Sequence, residues 1–237
     1  MHNILDQGVK KLSKHLWPNK TVPVNLTNPL LPEDHKKLLR YSMQYVNNHT
    51  CLRFMESKKI NTYHQLVVMP TEEKFCSNTI GYLPSSSLQQ LMVIAPSCCV
   101  SNWHLIHELL LVAGLYPEQR HFYRDKYIDV HEKNIKPKYR GSYKKLEGNL
   151  GLLMTQGLPY DYMSLMHFPQ GAFALNKSLP TMTVKHWLIG TLGQRQIISA
   201  TDVARINRLY GCWNYYTGDD INGAVPYKIW NSTLMSI

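Results

Sequence analysis

The 237-residue chain has no apolar run approaching the ~20 residues that a membrane-spanning helix requires. Residues 1–20 also lack the apolar core of a secretory signal. No internal repeat and no low-complexity tract is present, which excludes solenoids and prion-like segments. No Cys-x-x-Cys pair occurs, so the five cysteines do not form a cysteine-rich zinc knot. Charged residues make up 18%, against 44% hydrophobic, a globular rather than disordered balance. Acidic residues are scarce: 16 Asp and Glu face 26 Lys and Arg, for a net charge of +10. The basic residues are scattered in small knots such as Lys36-Lys37 and 136–145. No groove-filling helix or RNA-type aromatic motif accompanies them, so no nucleic-acid partner is expected. A polyanionic glycan is the alternative partner for such a surface.

Asn-x-Ser/Thr tripeptides begin at Asn19, Asn25, Asn48, Asn176 and Asn231, and they point to a secreted glycoprotein. A chain whose signal has been removed reconciles these sites with the polar N-terminus.

Pro32 followed by Glu33 and Asp34 makes a helix start, with acids at the positive end of the dipole. Leu39, Met43 and Val46 then recur at helical spacing up to Asn47-Asn48. Residues 51–54, 63–69 and 90–95 read as strands. Ser101 caps a second helix, apolar on nearly every side, that runs to about Ala113 and stops at Gly114. From Tyr116 to Pro180 the chain reads as mostly irregular. Ser199-Ala-Thr-Asp202 forms a capping box before Val203, Ile206 and Tyr210.

Residues 107–120 read His-Glu-Leu-Leu-Leu-Val-Ala-Gly-Leu-Tyr-Pro-Glu-Gln-Arg. This segment resembles the HExxHxxGxxHE signature of the astacin family of zinc metallopeptidases. There, two histidines on one helix face and a third beyond a glycine turn hold zinc, while the glutamate deprotonates the bound water. Further motifs carry the resemblance from about Trp17 to Cys212. Thr50-Cys-Leu-Arg-Phe54 is similar to a family strand. Arg124-Asp125, Tyr127 and Asn134-Ile135 fit the stretch after the zinc helix. Tyr160-Asp-Tyr-Met-Ser164 with Leu165-Met166-His167 resembles the turn that puts a methionine, here Met166, under the metal. Gly193-Gln-Arg195, Asp202, Ile206-Asn207 and Leu209-Tyr210 resemble the closing segment.

The resemblance implies an α+β fold of two lobes: a twisted mixed sheet with helices in the N-terminal lobe, and a mostly irregular C-terminal lobe with one helix. It implies an N-terminal segment 1–16, read as the remnant of a pro-region, a peptidase domain 17–212 with lobes 17–114 and 115–212, and an extension 213–237. His107 falls on the first ligand position and Glu108 on the general base, both expected to be vestigial. The second and third ligand positions hold Leu111 and Pro117, and Phe168 stands where a zinc-reaching tyrosine is usual. Leu83-Pro-Ser-Ser-Ser87 replaces a glycine-rich stretch before the substrate-lining edge strand. The expected disulfides are Cys51–Cys212 and Cys76–Cys99, with Cys98 left over. Glu118 is expected to receive the amino terminus if the chain is cut near Gly8. These departures imply no cofactor and a secreted pseudo-peptidase that binds an extracellular protein or peptide. The alternatives are an active zinc endopeptidase with altered ligands, for instance His104 and His107 with His121 or His167, and a basic glycan-binding module.

Overall fold

A computed structural model describes residues 12–58, 64–73, 76–84, 89–95, 101–185 and 192–235. Two compact units emerge. The first holds the described residues from 12 to 115 together with Ile206–Thr217; the second holds the described residues of 116–205 and of 218–235. The second unit begins at Tyr116, one residue beyond the expected boundary. The return of the chain to the first unit at Ile206 makes that unit discontinuous, unlike the contiguous lobes expected from sequence.

In the first unit, β1 (Thr21–Asn25), β2 (Arg53–Glu56), β3 (Leu66–Pro70), β4 (Ser77–Asn78) and β5 (Gln90–Ile94) form one mixed sheet in the order β2-β1-β3-β5-β4. The pairs β1–β2, β1–β3 and β3–β5 are parallel, and the short edge strand β4 runs antiparallel to β5. Val22, Val24, Phe54, Leu66, Val68, Met92 and Ile94 are buried, as strands covered by helices require. Helices α1 (Glu33–His49) and α2 (Asn102–Val112) pack against each other. Leu39, Met43 and Val46 of α1 are buried, matching the helical periodicity read from sequence. The expected strand at 51–54 begins two residues later. Strand β1 carries no sequence signal of its own, since Pro23 interrupts it and both its partners are distant in the chain.

The C-terminal end of α2 shows why the chain stops there. The Leu115 N–H donates to Leu110 O at 3.0 Å and the Gly114 N–H to Leu111 O at 2.9 Å, with Gly114 at φ 103°. This is a Schellman closure, and it needs glycine at that position. The next free carbonyls are taken by side chains: Trp17 Nε1 donates to Val112 O at 2.8 Å, and Tyr210 Oη to Ala113 O at 2.8 Å. The expected Cys51–Cys212 disulfide is present. Beside it, the Cys51 N–H donates to Asn207 Oδ1 at 3.1 Å. Cys76 is also disulfide-bonded, and its expected partner Cys99 lies outside the described residues, as does Cys98.

The second unit holds β6 (Ile128–Val130) paired antiparallel with β7 (Met182–Val184), several 3-10 turns, α3 (Gly148–Met154), most of α4 (Ala200–Leu209) and α5 (Tyr227–Met235). The stretch 116–180 is therefore less irregular than its composition suggests, and α3 and α5 add to the one helix expected. The reciprocal capping box of α4 is present: the Asp202 N–H donates to Ser199 Oγ at 3.0 Å and the Ser199 N–H to Asp202 Oδ2 at 3.3 Å. No described helix is long and apolar enough to cross a membrane.

Candidate functional site

On α2, the Ser101 side chain accepts from the His104 N–H and caps the helix. His104 Nδ1 lies 2.7 Å from the same Ser101 Oγ, so this ring is engaged at the start of the helix. His107 is buried. Glu108, the residue in the general-base position, is half-buried. Asn78 on the edge strand β4 donates from its amide to Glu108 Oε2 at 2.5 Å and to Glu108 O at 3.1 Å. Sequence reasoning missed Asn78, because a lone asparagine 30 residues upstream carries no motif. Leu111 is half-buried, while Leu105, Ile106, Leu109, Leu110 and Val112 around it are buried. Its hydrocarbon side chain offers no donor atom, and its backbone oxygen accepts from the Gly81 N–H at 2.9 Å. Gly81 sits at φ 73°, and a Cβ there would meet His15 O at 2.7 Å, so only glycine lets residues 15 and 81 lie this close. Leu83 is exposed, and 85–87 lie outside the described residues.

In the second unit, Pro117 is buried at φ −55°, with no side-chain donor. Glu118 follows it and is almost fully buried at 1% exposure. Its carboxylate is fully used: Arg205 donates from Nη1 to Oε2 and from Nη2 to Oε1 (3.3 Å), and the Asp161 N–H donates to Oε1 at 2.8 Å. Burial pushes the Glu118 carboxyl up, against the pull of Arg205. Burial alone lowers the pKa of Arg205, but the adjacent Glu118 carboxylate more than offsets this and leaves it raised. Glu118 therefore has an internal cation, 87 residues away in sequence, as its partner. Gly8, the expected cutting point, lies outside the described residues.

Met166 sits in a fixed turn. Its N–H donates to Ser164 Oγ at 3.0 Å, Ser164 donates to Asp202 Oδ1 at 2.6 Å, and the Leu165 N–H donates to Asp202 Oδ2 at 2.7 Å. Burial, with Asp161 nearby, raises the Asp202 carboxyl to about 6. The Glu118 N–H donates to Met166 O at 3.2 Å and ties this turn to the 3-10 turn after Pro117. His167 Nε2 lies 2.5 Å from Tyr160 Oη, and His121 Nδ1 accepts from the Tyr123 N–H at 3.2 Å. Burial lowers the pKa of both histidines, that of His121 to about 3. Each is thus neutral and engaged in the packing of this unit. Phe168 packs by its ring edge against Tyr143 and Phe173, at centroid distances of 5.7 and 5.4 Å.

The side chains at the implied zinc positions do not fit that metal. Leu111, Pro117 and Phe168 offer it no electron pair, and a zinc site needs about four donors. Among the described residues, no three His, Cys, Asp or Glu side chains are grouped to hold a metal. Among the glycosylation candidates, Asn19, Asn48 and Asn176 are exposed and Asn231 is partly so. Asn25 differs from these in being only 6% exposed, and its Oδ1 accepts from the Thr27 N–H (2.9 Å) and Oγ1 (2.7 Å).

The family model described as Astacin, a peptidase family, matches residues 9–211. Zinc metalloproteinase nas-15 of Caenorhabditis elegans is 31% identical over 83% of this chain and 32% of its own length. Zinc metalloproteinase nas-7 of the same nematode is 31% identical over 86% of this chain and 50% of its own. The chain thus spans a third to a half of the length of these relatives. Among solved structures, high choriolytic enzyme 1, a hatching enzyme zinc-protease from Oryzias latipes (medaka fish), superposes with a TM-score of 0.73 at 26% identity. That match covers 84% of this chain and 96% of the other. By its matched length and its fold, the chain belongs to the astacin family of peptidases.

Proposed function

We propose that this protein is a secreted astacin-fold pseudo-peptidase that binds an extracellular protein or peptide without cutting it. The observation that carries this reading is the absence of donors at Leu111 and Pro117, which leaves His107 as the one histidine among the three implied ligand positions. Without a metal, nothing lowers the pKa of an attacking water from ~15.7 towards 7. The Asn78 amide donates to Glu108 Oε2, so one oxygen at the general-base position is held by a side chain of the first unit. The scaffold is retained: the α2 closure at Gly114, the Met166 turn and the Cys51–Cys212 bridge all persist. Disulfides persist in oxidising compartments, which supports secretion.

The rival reading is an active zinc endopeptidase with altered ligands, and the names of the relatives favour it. Digestion of casein and of a quenched peptide library, with zinc and with chelator, separates the two. The proposal expects no zinc-dependent cleavage; turnover that chelator abolishes and zinc restores overturns it. As a positive control, Leu111→His with Pro117→His supplies the missing donors. This variant should gain measurable zinc affinity while cutting weakly, since partners around the ligands typically contribute ~10–100-fold in metal binding.

A further inference from the structure

The second unit contains a groove of about 440 Å³ that no part of the zinc-site argument uses. Its lining includes Tyr123, Lys126 and Tyr127 and the segment Leu158–Tyr160. It also includes Asn222, Gly223, Val225 and Trp230, which lie past residue 211, where the family match ends. The groove is thus completed by a C-terminal segment outside the matched stretch.

That segment is fastened by specific contacts. The Val225 N–H donates to Gly157 O at 2.8 Å, and the Tyr227 N–H to Asp219 Oδ1 at 2.8 Å at the start of α5. Gly157 is at φ 68°, and a Cβ there would meet the Trp230 ring at 2.9 Å and Val225 Cβ at 3.2 Å. Only glycine lets the segment sit this close. Trp230 is 9% exposed, yet its indole N–H is buried with no hydrogen-bond partner. An orphaned buried donor costs free energy that an acceptor on a ligand recovers. Tyr127 and Tyr160 stack at 4.8 Å and 9° and give the groove a planar aromatic lining. Within the lining, Lys126 Nζ lies 5.2 Å from the centre of the exposed Tyr123 ring, so positive charge borders an aromatic surface. The volume falls in the ~300–1,000 Å³ range of small-molecule sites.

We propose that this groove binds a small carboxylic acid carrying a planar ring. The ring lies on the tyrosine lining, and the oxygens are served by the Lys126 charge and, after a small adjustment of α5, by the Trp230 N–H. A free aromatic acid and the C-terminal residue of a peptide present the same chemistry.

The test is calorimetric titration of the full chain with indole-3-acetate, indole-3-ethanol and tryptamine, with the tryptophan indole N–H resonances followed by NMR. Indole-3-acetate should bind about tenfold more tightly than the neutral alcohol, and tryptamine more weakly still. The Trp230 resonance should shift while that of Trp213, 79% exposed, stays in place. Lys126→Met, at an exposed position, should weaken binding about fivefold. Trp230→Phe keeps the ring, removes the N–H and should weaken it about tenfold. N-acetyl-glycyl-tryptophan gives the peptide arm: binding of either acid supports the groove, and the tighter one identifies the source. No binding at millimolar indole-3-acetate, equal affinity for tryptamine, or an unmoved Trp230 resonance overturns the proposal.

Discussion

Replacing Arg205 by Met tests the buried centre of the second unit. Methionine keeps a stem of similar length and removes the guanidinium. The Glu118 carboxyl, 1% exposed, would retain only the Asp161 N–H. Removing one partner of a buried ion pair costs about 3–5 kcal/mol, because the other charge is left uncompensated. The sign of the pH dependence follows from Glu118. Its folded pKa is already raised by burial above the ordinary 4.5, and loss of Arg205 raises it further. A raised carboxyl contributes stability that is fully present below its unfolded pKa and lost as pH rises through its folded pKa. The deficit of the variant against the wild type should therefore be largest at pH 7 and shrink towards pH 4.5. Glu118→Gln combined with Arg205→Met removes the stranded charge, keeps an acceptor for Asp161 and should recover most of the loss. Urea unfolding of the three proteins at both pH values, with disulfides intact, reads these differences. A deficit under about 1 kcal/mol at pH 7, a pH-independent deficit, or a double variant worse than the single would refute the reasoning.

Other expectations are as direct. Replacing both Cys51 and Cys212 by Ser opens a link of sequence separation 161 and should cost about 5 kcal/mol by the chain-entropy relation; a loss under ~1 kcal/mol in denaturant titration would contradict it. His121, held neutral with a pKa of about 3, contributes stability above its unfolded value of 6.5 that is lost on acidification, so His121→Gln should gain about 2–3 kcal/mol on the wild type between pH 7 and pH 4.5, and parallel stability curves would exclude this. Asp202, raised to about 6, acts with the opposite sign, and Asp202→Asn should remove a stability decline between pH 4 and 6; an unchanged slope there argues against the shift. Gly114→Ala has room for its methyl, with Leu209 Cδ2 3.5 Å away, but must adopt φ 103°, so it should destabilise by more than ~1 kcal/mol in thermal unfolding; a neutral result would show that α2 ends differently.

The parts legible in the sequence are those whose cause is local. The cap at Ser101, the stop at Gly114 and the box at Ser199–Asp202 use partners within a few residues, and all are present. The periodicity of α1 placed its buried face for the same reason. The two cysteine positions of the 51–212 bridge followed from the family resemblance, since no spacing rule joins residues so far apart. Long-range pairings gave no local signal: β1 with β2 and β3, Asn78 with Glu108, and Arg205 with Glu118. The turns of 116–180 are set by tertiary hydrogen bonds. Tyr143 Oη, for example, donates to Ala172 O at 2.6 Å, so composition alone read this stretch as irregular. Asn25 matched a glycosylation tripeptide, but its burial in β1 depends on the same unseen pairings.

The proposed function requires that the cleft hold no zinc, and metal content measures that most directly. The protein, secreted from cells in zinc-supplemented medium and dialysed against a weak chelator, would be analysed by plasma mass spectrometry beside the Leu111→His, Pro117→His variant. The account predicts no stoichiometric zinc in the native chain and a gain of zinc in the variant. One zinc retained per native chain, together with peptide cleavage that tracks it, would contradict the account.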